Sequence, residues 1–245
     1  TLANDMFVCD PKPGSPVTPG VVRALDDLGL RGVVSFGAGD VRGVPVPVLM
    51  EEHAALAEAA ASSRLSRFRV GIAGLGAQSK ELHQASIEFG TSVGDGIHIH
   101  LQEIREEVTA VRLQHGFSPI GYCAETGLFE APTIAAHCVW VDEEDREMLV
   151  EHRVGVAHNP VSNMILASGV CPVPDLLRRG VAVGIGVDGP ASNDSQDMLE
   201  AIKATSLIQR LDSLQATALS AQVAFEMATI GGAQSLRLEQ ELGSL

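Results

Sequence analysis

Seven short runs of apolar and β-branched residues recur along this chain, and a helical pattern follows each of them. The runs fall at residues 6–9, 32–36, 68–75, 96–101, 133–141, 155–158 and 181–187. Helical patterns occupy 21–28, 48–63, 79–89, 103–115 and 143–152, then a short stretch ending at Arg179, and most of 195–236. Alternation of nearly continuous apolar strands with helices predicts an α/β fold, a parallel sheet covered by helices. Seven strands are one short of an eight-stranded β/α barrel of the TIM type. A doubly wound open sheet is the competing architecture. No linker, repeat or low-complexity segment divides the chain, so residues 1–245 are expected to form one domain.

Composition narrows the possibilities. A chain of 245 residues is long enough to bury a sizeable core. Aromatic residues make up only 4%, so Val, Leu, Ile and Ala must fill that core. The formal net charge is −14, which argues against nucleic acid and anionic membranes as partners, since both select basic faces. No uninterrupted apolar run approaches the ~18 residues of a membrane span, and no secretory signal pattern opens the chain. Cys9, Cys123, Cys138 and Cys171 are far apart with no C-x-x-C, and read as reduced thiols of a cytoplasmic protein. His53, His83, His115 and His152 lie on helical patterns and are expected to be solvated. The oligomeric state is not legible, and a homo-oligomer stays open.

Polar chemistry collects where strands end. Four runs finish in Ile97-His98-Ile99-His100-Leu101-Gln102-Glu103, Ala135-Ala136-His137, Val156-Ala157-His158-Asn159 and Ile185-Gly186-Val187-Asp188. In parallel β/α proteins the active site lies at the C-terminal ends of the strands, so these residues are expected at one rim. His98 and His100 are two apart and share a strand face, a spacing able to bind one metal ion. Glu103 follows the strand and suits proton transfer beside an activated water. Asp188 offers a hard oxygen donor. Such a His/His/Asp set suits zinc or iron in a hydrolytic site. Residues 184–189 also fit G-x-G-x-x-G, but a dinucleotide fold needs a further strand with an acidic end, and the pattern after it is helical.

These pieces resemble the amidohydrolase superfamily, most of all its branch of deaminases and chlorohydrolases of nitrogen heterocycles. The matching segments are His98-Ile-His100-Leu-Gln-Glu103, Ala136-His137-Cys-Val-Trp140 and His158-Asn-Pro-Val-Ser-Asn163-Met. They continue in Gly186-Val-Asp188-Gly-Pro-Ala-Ser-Asn193-Asp-Ser195 and Met227-Ala-Thr-Ile-Gly-Gly-Ala233. The resemblance implies a metal-dependent hydrolase that deaminates an amino-substituted purine, pyrimidine or triazine. Dechlorination of a halogenated triazine on the same scaffold, amide cleavage, and a non-catalytic barrel fragment are the alternatives. It implies one divalent metal, zinc ahead of iron, held by His100 and Asp188. Glu103 would carry a proton between the attacking water and a ring nitrogen. His137 would hydrogen-bond the water or the substrate, and Asp188 would accept the water's proton. His98, Asn159, Ser162 and Asn163 are supporting candidates, the last three in the loop after the seventh strand.

The family opens with a β-sandwich part and a first barrel strand whose own H-x-H ligates the metal, and it runs on past the last barrel helix into more sandwich. Neither piece is legible here. The expectation is therefore an incomplete (β/α)8 barrel, an internal piece of a protein nearly twice as long. The parent would be active and this chain nearly inactive.

Overall fold

The computed structural model describes residues 2–93 and 95–244. The chain divides into two compact units, one running up to Ile99 with Thr126–Thr133, the other comprising His100–Glu125 and the chain from Ile134 onward.

In the first unit the order is β1 (Leu2–Phe7), α1 (Pro19–Leu28), β2 (Arg31–Ala38), α2 (Val46–Ser62), β3 (Ser66–Phe68), β4 (Val70–Ile72), α3 (Lys80–Val93) and the start of β5 (Ile97–Leu101). The pairing is parallel, β1 on β2, β2 on both β3 and β4, and β4 on β5. Arg69 separates β3 from β4, and its N–H still bonds to the Val34 carbonyl, so the two are one interrupted strand. Gly71 permits this close register, because a Cβ there would lie 2.3 Å from the Phe36 carbonyl oxygen. The first strand covers Leu2–Phe7, not 6–9. It alternates half-buried with exposed residues, and the polar Asn4 and Asp5 broke the apolar run that marks the other strands. β2 is buried over all but its first residue, as a parallel strand covered on both faces must be.

The second unit continues with α4 (Arg105–His115), α5 (Pro119–Glu125), β6 (Thr133–His137), α6 (Glu143–Glu151), β7 (Gly155–His158), α7 (Pro160–Ile165), α8 (Val173–Arg178) and β8 (Val183–Ile185). Then come α9 (Pro190–Asn193), α10 (Met198–Ser213), α11 (Ala221–Glu226), a π-helical turn over Met227–Gly231 and α12 (Gly232–Ser235). β6, β7 and β8 pair in order and in parallel. Asp142 starts α6 with a reciprocal capping box shared with Asp145, the arrangement that satisfies two otherwise orphaned amides. After β8 no further strand occurs among the described residues, which removes the dinucleotide-binding reading of residues 184–189. Among them, too, no helix is long and apolar enough to cross a membrane.

Two of the helical histidines expected in solvent are buried instead. His83 shares a hydrogen bond with Thr126 Oγ1 at 3.0 Å. His53 sits among the rings of Phe36, Phe68 and Phe89, with no hydrogen-bond partner for either nitrogen. Burial pushes its pKa down to about 3, so the ring is neutral in the folded chain. The unfolded chain protonates this ring below about pH 6.5, and the folded chain does not. Stability is therefore lost as pH falls from about 6.5 toward 3. His53→Leu should flatten the slope of urea-unfolding stability against pH in that window by about 1.4 kcal/mol per pH unit. An unchanged slope would show that His53 takes up its proton without unfolding.

Candidate functional site

The second unit gathers Glu103, His137, Asn163, Ser168 and Asp188, together with His100. Asn163 lies on α7 and Ser168 just after it, whereas His100, Glu103, His137 and Asp188 stand at or just beyond strand ends, among the residues that turn the chain from strand into helix. Four of those turning residues carry side chains in the left-handed region of backbone space, Gln102 at φ 52°, His137 at 74°, Cys138 at 47° and Asp188 at 61°. Non-glycine residues adopt that conformation only when their surroundings enforce it.

Gln102 shows what enforces it. Its side chain is fully buried, and Nε2 donates to the Trp140 carbonyl and to Asp145 Oδ2 at 2.9 Å. Its Oε1 accepts the Ile120 N–H at 3.0 Å. The amides of Val139 and Trp140 donate back to the Gln102 carbonyl, both at 3.0 Å. The turn after β5 is thereby tied to α5, to α6 and to the segment after β6.

Glu103 comes next. Its Oε1 accepts from the Ser168 hydroxyl at 3.0 Å, and its Oε2 lies 3.7 Å from His137 Nε2. Ser168 is held in turn by Trp140, whose indole N–H donates to the Ser168 carbonyl at 2.8 Å. His137 Nδ1 meets Asn163 Oδ1 at 2.9 Å. An amide oxygen only accepts, so Nδ1 carries the ring proton and Nε2 is the nitrogen left to act beside Glu103. The His100 ring lies 5.3 Å from that of His137, centroid to centroid.

Asp188 Oδ2 accepts from Ser162 at 2.5 Å and from Ser192 at 2.9 Å. Burial alone would raise its pKa. The two hydroxyls, the Gly189 amide and the neighbouring His137 together outweigh that and hold the carboxyl below the usual range. Asp188 is thus ionised at neutral pH.

Ser162 and Asn163 lie on α7, not in a loop as the sequence implied. Pro160 opens that helix and the Asn163 amide bonds to the Asn159 carbonyl, so a stretch of polar residues that reads as a loop closes into a short helix. Asn159 is buried, and its Oδ1 occupies the place a Cβ on Gly186 would take, 2.2 Å away. His98 belongs to the first unit, where its Nδ1 meets Ser35 Oγ at 3.1 Å and Asn4 Nδ2 at 3.4 Å. Sequence reasoning passed over Gln102, Ser168 and Ser192, whose residue types carry no chemical signature and which matter only through what they touch. It counted His158 among the strand-end residues without giving it a role. That ring is buried with neither nitrogen hydrogen-bonded, and burial pushes it down to about 3.

An imidazole and an ionised carboxylate, as His100 and Asp188 provide, suit a divalent ion in kind. They fall short in number. No group of three or more His, Cys, Asp or Glu side chains among the described residues could hold a metal ion, whereas an open zinc site has three protein ligands.

Known proteins bear on this geometry in three ways. The chain is 40% identical over 239 residues to a 5-methylthioadenosine/S-adenosylhomocysteine deaminase of Desulforudis audaxviator, an alignment covering 92% of this chain and 53% of that protein. It is 39% identical over 233 residues to a 5'-deoxyadenosine deaminase of Methanothermobacter thermautotrophicus, covering 91% and 53%. In fold it matches a zinc-bound adenosine deaminase from Xanthomonas campestris with a TM-score of 0.87 at 24% identity, over 94% of this chain and 53% of that one. The chain thus spans about half the length of the relatives it matches, and its fold is that of an incomplete β/α barrel. Since the amidohydrolase family model matches residues 1–245 throughout, the chain belongs to the amidohydrolase family.

Proposed function

We propose that the protein to which this chain belongs deaminates the amino-substituted ring of an adenosine-type nucleoside by hydrolysis. One observation carries this reading. Glu103 and His137 face each other across 3.7 Å, with the far side of each fixed by a single hydrogen bond. Two deaminases of adenosine-derived nucleosides among its relatives support the substrate class.

Hydrolytic deamination needs a proton delivered to a ring nitrogen, a proton removed from water, and a group to hold the oxygen that adds. Glu103 has the means for the first. Its Oε1 is occupied by Ser168, so Oε2 is the atom free to carry a proton to and from the ring. His137 is oriented by Asn163 and presents Nε2 to the water or to the developing hydroxyl. Asp188 is ionised and can accept the water's proton, while Ser162 and Ser192 keep its carboxylate from rotating. Asp188 then passes the water's proton to the departing amino group and Glu103 takes up the proton of the added hydroxyl, so that ammonia leaves, the ring nitrogen keeps its proton and the carbonyl product remains. A divalent ion, zinc by our reading, would be held by His100 and Asp188, and when bound supplies Lewis acidity and a water acidic enough to react near neutral pH.

Glu103→Gln keeps the side chain's size and removes the proton carrier. We expect it to lower kcat for an adenosine-type nucleoside by about 10²- to 10⁴-fold, as for loss of a general acid–base group, with KM little changed. An unchanged kcat would remove Glu103 from the chemistry. With two metal donors in place of three, zinc should bind this chain reversibly and weakly. Elemental analysis after gel filtration is expected to find well under one equivalent, and less again in Asp188→Asn. A full, tightly held equivalent in the unaltered chain would mean that donors beyond His100 and Asp188 complete the site.

A further inference from the structure

Glu107, in the first turn of α4, is a carboxylate for which the chemistry above has no use. First-turn carboxylates usually stand in water and favour the positive helix end from there. Glu107 instead turns back beneath the strand end. Its Oε2 accepts the Glu103 backbone N–H at 3.2 Å, and its Oε1 is buried without a hydrogen-bond partner. The helix itself has no side-chain cap from Ile104, the residue at its N-terminal boundary. Glu107 therefore closes the strand-to-helix turn at the residue whose side chain faces His137.

We propose that Glu107 is a positioning residue for Glu103, gripping its amide from within the helix so that the carboxylate stays between Ser168 and His137. The proposal rests on the reading of Glu103 as proton carrier. Gln102 and Glu103 are adjacent, and each is held by a different helix. Gln102 is tied to Asp145 on α6 and Glu103 to Glu107 on α4. Held from both sides, the turn keeps Gln102 in its left-handed conformation and leaves the Glu103 side chain little freedom to swing. A carboxylate in this place is also sensitive to pH. Burial, first, and the Glu103 charge push Glu107 up to about 7 against the pull of the Glu103 and Gln102 amides. The other titratable groups that sense it are the thiols of Cys123 and Cys138, which burial raises well above their ordinary range, so they stay neutral.

The test needs no metal-loaded enzyme. In the ¹⁵N-labelled chain the Glu103 amide should resonate downfield and move as pH rises from 6 to 8. In Glu107→Gln it should stay still. An amide that behaves alike in both proteins overturns the contact. The chain has a single tryptophan, and the Trp140 indole N–H reports on Ser168 and so on the Glu103 carboxylate. Glu107→Leu is expected to shift that indole signal as Glu103→Gln does. A signal left at its wild-type position in a folded Glu107→Leu protein would reduce Glu107 to a helix cap. In turnover of an adenosine-type nucleoside, Glu107→Leu should cost about ten- to a hundredfold in kcat with KM held, the usual cost of a misplaced reacting group. Glu107→Gln, which keeps an accepting oxygen, should recover most of it. Loss of turnover in Glu103→Gln but not in Glu107→Leu overturns the positioning role alone. Equal turnover in all of these proteins removes the proton-carrier reading as well, whatever the two resonances show.

Discussion

The second unit depends on bending the chain sharply at the ends of β5, β6 and β8 with residues other than glycine in the left-handed positions. Gln102, His137, Cys138 and Asp188 all take left-handed backbone conformations there. Such residues cost of order 1–3 kcal/mol each and persist only where the surroundings over-determine them. What over-determines Gln102 is a buried set of hydrogen bonds centred on Asp145. One carboxylate receives the Gln102 side chain, the Ser118 hydroxyl and the Asp142 amide, and so joins a strand end, the approach to α5 and the start of α6. A satisfied buried network of this kind is rigid, and removing one member leaves the others unpaired in a medium where that is costly.

Rigidity at the bends matters because the side chains proposed to act have few contacts of their own. His137 has one hydrogen bond to Asn163, and Glu103 one side-chain bond to Ser168. Neither contact would orient a side chain on a mobile loop. Mounted on fixed backbone they suffice, and they leave Glu103 Oε2 and His137 Nε2 as the two atoms turned toward each other. Asp188 follows the same plan, its carboxylate pinned by two serines from different helices. Their surroundings also set their charge. Hydroxyls and a backbone amide keep Asp188 ionised, while His158, buried without partners, is held neutral.

Much of this was legible in the residues. Alternating runs of Val, Ile and Ala with helical patterns mark the parallel strands; the run at 68–75 begins earlier, at Ser66, and ends at Ile72, and β1 is displaced most, because Asn4 and Asp5 hide its period. His100, Glu103, His137 and Asp188 were visible as polar residues closing apolar runs, since a strand's C-terminal end is where β/α proteins put their chemistry. Gln102, Ser168 and Ser192 were not. Their side chains are common in loops and surfaces, and only proximity gives them meaning. His53 and His83 were misplaced for the converse reason: a helix pattern tells which residues share a face, and it does not tell how much of that face the neighbouring elements cover.

The sequence by itself determined the alternation of strands with helices, and it placed His100, Glu103, His137 and Asp188 at strand ends. Those are local facts, set by side-chain periodicity and by which residues interrupt it. Tertiary structure alone decided which nitrogen of His137 is free and which oxygen of Glu103 is turned toward it. Each of these depends on partners 26 to 65 residues away along the chain. No local pattern encodes such a distance; packing does, because burial makes an unpaired polar atom expensive and so favours an arrangement that pairs most of them.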